Sequence, residues 1–103
     1  MQELGEIHER TDTRGHGRYV VAVVSHNLYR DGTGMVFVVP VHPDSPGVDH
    51  PLLIRVDVSG EVGLIIADQV FRMPAAGLGD PPVGRVEPDA LERVRAQLRG
   101  IFS

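Results

Sequence analysis

Two apolar runs, Tyr19-Val-Val-Ala-Val-Val24 and Met35-Val-Phe-Val-Val39, contain no polar residue to turn toward water. A strand with one wet face alternates apolar and polar side chains, so a run without alternation predicts a strand covered on both sides. A chain of 103 residues with 42% hydrophobic content has material for one core and little spare apolar surface. A second copy of the chain is therefore expected to cover apolar faces that this short chain cannot cover by itself.

The remaining segments fill in that picture. Leu52 to Val58 alternates in its second half, which puts Arg55 and Asp57 opposite Ile54, Val56 and Val58. Ser59-Gly60-Glu61 turns into a further buried strand, Val62 to Ala67. Asp68 to Met73 reads as an irregular strand or 3₁₀ turn, and Val83 to Val86 as a short edge strand. Pro40 is expected to end the strand begun at Met35, followed by a long Pro-rich loop, VHPDSPGVDHP. His26 to Gly34 carries loop chemistry, with Asp31-Gly32 supplying a turn. Residues 1–13 have only Leu4 and Ile7 as large aliphatic anchors, the signature of a polar arm or edge strand. One helix is predicted, from Pro88, with Asp89 and Glu92 near its start and Arg93, Arg95 and Arg99 toward its end. Leu91, Val94, Leu98 and Ile101 form its apolar stripe, and Gly100 is the expected stop. Five or so strands and a C-terminal helix make one α+β domain over residues 1–103, a small barrel-like or strongly twisted antiparallel sheet.

Cysteine is absent, which excludes disulfides, thiolate metal sites and a cysteine nucleophile. The first residues lack the apolar core of a signal peptide and no 18-residue apolar window occurs, so the expected location is the cytoplasm. The net charge of −4 is concentrated at the N-terminus, where Glu3, Glu6, Glu9 and Asp12 face only Arg10. All ten basic residues are arginines. An anion site must therefore be a local group of guanidiniums, which grip phosphate bidentately, rather than a basic face.

Five strings, in this order and spacing, resemble the MazF/PemK toxin family of the CcdB/MazF superfamily: GEI at 5–7, GRYVVAVVS at 17–25, MVFVVPV at 35–41, GLIIADQV at 63–70 and VGRVEPDALERVRAQL at 83–98. The resemblance implies an SH3-like barrel, a homodimer and a cognate antitoxin peptide as partner. It also implies cofactor-free, metal-independent cleavage of single-stranded RNA, in which the ribose 2′-hydroxyl attacks the adjacent phosphate. Arg18 stands at the family's functional arginine, which the resemblance makes the general acid. A guanidinium is better suited to clamping developing phosphoryl charge than to giving up a proton.

The sequence departs from the family pattern in three places. Thr13 and Arg14 occupy the region of the family's glutamate, Tyr19 replaces a proline, and His42 followed by Pro43 stands where a phosphate-binding threonine is usual. His16 and His42 would then supply base and acid, since imidazole exchanges protons near neutral pH. Arg14, Arg72 and Tyr29 are the expected RNA contacts, with Phe71 a second aromatic for base stacking. Asp68 and Gln69 read as structural, the glutamine buried and bonded to backbone. His8, His26 and His50 have no motif support and no metal-ligand spacing. Two other readings share the fold: a CcdB-like topoisomerase-binding toxin, weakly echoed by Arg99-Gly100-Ile101, and a catalytically inactive RNA- or antitoxin-binding protein.

Overall fold

The protein is described by a computed structural model over residues 3–10, 20–45, 47, 50–58 and 60–102. Arg14, His16 and Arg18 lie outside the described residues. The strands are β1 (Glu6–Glu9), β2 (Val20–Val23), β3 (Met35–Pro43), β4 (Leu53–Val58), β5 (Glu61–Ile66), β6 (Phe71–Pro74) and β7 (Gly84–Arg85). Among the described residues two α-helices accompany them, α1 (Asn27–Thr33) and α2 (Pro88–Phe102). The sheet runs β4-β5-β3-β2-β1-β7, with β6 as an additional partner of β3, and every pairing is antiparallel. Its two ends approach one another, because a Cβ on Gly84 of β7 would lie only 3.4 Å from Val58 Cγ1 of β4. The result is a curled half-barrel with a C-terminal helix. Among the described residues no helix is long and apolar enough to cross a membrane.

The unbroken apolar runs are explained by cover on both faces. In β2, Ala22 belongs to one core with Ile7, Val39, Val41, Ile54, Ile65 and the α2 residues Ala90 and Val94. Val21 and Val23 point the other way, into a second cluster with Val36, Val38, Met73 and Leu78. Each such side chain removed from water contributes ~1.5–3 kcal/mol. The predicted alternation in β4 holds, with Ile54 and Val56 buried and Arg55 and Asp57 exposed. In α2, Val94 is fully buried, Leu91 and Leu98 are half-buried, and Ile101 is 43% exposed.

Four expectations are corrected. Residues 26–34 form a helix and its caps, not a loop: His26 Nδ1 accepts the Leu28 N–H at 3.1 Å, and Gly34, at φ 72°, returns its N–H to Arg30 O at 2.7 Å. No residue of α1 is buried, so no apolar stripe announced it. The N-terminal arm is an interior strand, since β1 lies between β2 and β7 with Ile7 in the core. Gly100 does not stop α2, which continues through Phe102. Finally, Pro40 lies inside β3 rather than at its end. Val24 N–H donates to Phe37 O, which makes 22:39 and 20:41 the hydrogen-bonded pairs and leaves Pro40, opposite Val21, with nothing to donate toward β2. On its other edge β3 leaves β6 after Val38 and takes up β5 only at His42, so the missing N–H falls in a gap between partners.

Candidate active site

That gap builds the site. The chain passes from β5 to β6 through a 3₁₀ turn, Ala67–Gln69, which sits where β3 changes partners. Ala67 is fully buried against the core and anchors the turn, while Gln69 is exposed and reaches the first residue of β3 beyond the gap. His42 Nε2 lies 2.7 Å from Gln69 Oε1. An amide oxygen only accepts, so Nε2 carries the proton and the neutral ring keeps its lone pair at Nδ1. Gln69 is therefore a side-chain partner of His42, not the buried backbone-satisfying glutamine expected from sequence.

His42 also lines an open pocket of about 380 Å³, together with Val20, Val41, Pro43, Val58, Glu61, Val62 and Gly63. Val20 is the residue at which the chain enters β2, and it pairs directly with Val41. Two positions after Arg18, the chain is therefore one strand away from His42.

The other predicted contacts collect elsewhere. In the β3–β6 register Arg72 is opposite Phe37, and Phe71 opposite Val38. Consecutive residues of a strand face opposite ways, so Arg72 shares a face with Phe37 while Phe71 turns to the second core. Arg72 Nε donates to the Tyr29 hydroxyl at 2.8 Å, and the Tyr29 and Phe37 rings lie 5.3 Å apart. Arg72 and Tyr29 are thus brought together, and Phe37 joins them unpredicted. Phe71 is instead covered by the Arg10 guanidinium, 5.3 Å from its ring centre, a cation–π contact that takes it out of the stacking set.

A model of the family described as "Type II toxin-antitoxin system toxin Rv0299" matches residues 5–101. The chain belongs to this toxin family. Its fold is that of solved MazF structures. It superposes on a chain of the MazE-MazF complex from Deinococcus radiodurans with a TM-score of 0.78 at 22% identity, covering 98% of this chain and 94% of that one. An endoribonuclease in complex with its cognate antitoxin from a mycobacterial species gives a TM-score of 0.79 at 20% identity, covering 99% and 95%. MazF of D. radiodurans gives 0.76 at 23% identity, covering 97% and 94%. No curated protein matches the sequence.

In this MazF-like toxin the histidines without motif support have structural duties. His26 caps α1, and His50 Nδ1 accepts the Leu52 N–H at 3.1 Å. His8 is fully buried, with Nδ1 2.7 Å from Gly79 O and Nε2 3.0 Å from Glu6 Oε1. Both of its nitrogens face acceptors, so the ring makes both bonds only as an imidazolium. Burial pushes the Glu6 carboxyl up, but the Glu3 amide, His8 and Arg85 together outweigh it and hold it below the usual carboxylate range. Sequence reasoning missed this pair because Glu6 and His8 stand in a segment whose charge suggested solvent. It missed Gln69's role because the A-D-Q-V string does not reveal that β3 changes partners beside it.

Proposed function

We propose that this toxin is a metal-independent endoribonuclease that cleaves single-stranded RNA. The observation that carries the reading is His42: an imidazole fixed by Gln69 through one nitrogen, with the other unengaged among the described residues, at the rim of an open pocket on a MazF fold. The ribose 2′-oxygen attacks the adjacent phosphorus as a base takes its proton. The bond to the 5′-oxygen breaks as an acid protonates that oxygen, leaving a 2′,3′-cyclic phosphate and a 5′-hydroxyl. His42 and His16 divide the proton transfers, and Arg18 steadies charge on the phosphorane. Arg14, Arg72 and Tyr29 hold the flanking strand. The neutralising partner is an antitoxin peptide, a reading supported by the likeness to antitoxin-bound structures, and it lies in the same groove as the RNA. The active form is a cytoplasmic homodimer that covers the half-buried side of α2, with Leu91 and Leu98 at the junction of core and interface.

The test is cleavage of a long single-stranded RNA by purified protein in EDTA, with the ends read by mass spectrometry. Cuts with cyclic-phosphate ends that fall by about 10²–10⁴-fold in His42→Ala and Arg18→Ala are expected. The CcdB-like alternative draws on the exposure of Ile101 and of Phe102, at 43% and 75%. No cutting by folded wild type, with toxicity abolished on deleting residues 100–103, would transfer the assignment there.

A further inference from the structure

The pocket beside His42 has a polar group for which proton transfer has no use. Its walls are aliphatic, from Val41, Val58, Val62 and the ring of Pro43. Gly63 lets those walls close up, since a Cβ there would fall 2.6 Å from Val41 Cγ1 and 3.2 Å from Val58 Cγ2. At about 380 Å³ the space is at the small end of ligand sites, enough for one planar ring system with its sugar. Glu61, at the start of β5, is the only carboxylate among the described lining residues, and its side chain has no hydrogen-bond or ion partner among the described residues.

We propose that this pocket receives the base next to the scissile phosphate and that Glu61 selects guanine there. The inference rests on the ribonuclease reading only for the position of the cut, not for the recognition. An ionised carboxylate offers two acceptors side by side and no donor. Guanine alone among the four RNA bases presents two adjacent donors on its Watson–Crick edge, N1–H and the 2-amino group. Uracil offers one N–H between two carbonyls, and adenine and cytosine each place an acceptor nitrogen beside the amino group, where a carboxylate repels it. Aliphatic walls grip any base from its faces, so they supply affinity without choice, and the choice falls to Glu61. The acid's repulsion of phosphate is the cost of that choice, and the arginines must offset it.

The experiment measures binding and cutting separately. Fluorescence anisotropy follows binding of the full chain to four labelled single-stranded heptamers that differ only at the base beside a central 2′-deoxynucleotide, which prevents cleavage. The all-ribose versions are assayed for cutting in parallel. Wild type is expected to bind the guanine oligomer about tenfold tighter than the others, and Glu61→Gln, which has one acceptor and adds a donor, to bring that ratio near one. Equal affinity of wild type for all four, or a preference that survives Glu61→Gln, overturns the assignment even if RNA is cut. A Glu61-dependent preference without cutting sustains the base pocket and removes the ribonuclease reading. Binding of no RNA at all overturns both.

Discussion

His8 and His42 are the same residue placed in opposite circumstances. His8 is fully buried, and both of its ring nitrogens are used, one by Gly79 O and one by Glu6. His42 is half-buried at a pocket, and among the described residues only its Nε2 is used, by Gln69. A histidine with both nitrogens engaged ties segments together, here β1 to the turn at Gly79 and, through Glu6, to Arg85 of β7 at 3.4 Å. Two engaged nitrogens set His8 apart from His26, His50 and His42, each of which engages one among the described residues. What sets His42 apart from the other two is its place at the pocket, where a free lone pair can meet a ligand.

The largest effect expected from breaking this contrast is at His8. His8→Ala leaves the Gly79 carbonyl and the Glu6 carboxylate without their donor in a closed site, which should cost about 2–3 kcal/mol. Thermal unfolding should show a fall in Tm on the order of 10 °C, while cleavage per folded molecule should be unchanged. A variant that melts like wild type would show that the pair contributes nothing net. The next effect is at Gln69, which acts only through His42. Gln69→Leu should lower kcat about tenfold with KM little changed, and Gln69→Glu, which keeps an acceptor for Nε2–H, should restore most of it. Equal loss in both variants would mean that the amide does something other than orient the ring.

What could be read from the sequence follows from where each signal resides. The doubly buried strands were legible because their signal is local, a valine run that no half-wet strand would carry. Helix α2 was legible for the same reason, since its stripe and charge gradient lie within fifteen residues. Helix α1 was not, because it buries no residue and is held by its caps at His26 and Gly34. Pro40 was misread because its tolerance depends on β3 exchanging β6 for β5 around it, a fact of tertiary pairing. Gln69 was placed in the wrong environment by the same omission. Of the expected site residues, His42, Arg72 and Tyr29 fall within the described chain, and the latter two sit on one another rather than beside His42.

The smallest expected effect concerns acid. Glu6 is held below the ordinary carboxylate value of 4.5 in the folded chain, so the unfolded chain takes up a proton there before the folded one does. The stability this provides is complete above about 4.5 and is lost as pH falls through the lower native value. The charges around it are His8, Arg85, Glu3 and Asp80: Arg85 Nη2 is 3.9 Å from Glu3 Oε2, and Asp80 Oδ1 is 3.7 Å from His8 Nδ1. Urea unfolding of wild type and Glu6→Gln at several pH values isolates the contribution. The difference between them should be greatest at neutral pH and shrink as the solution is acidified below 4.5. A difference that stays constant with pH would mean that Glu6 matters to His8 as a hydrogen-bond acceptor alone and not through its charge.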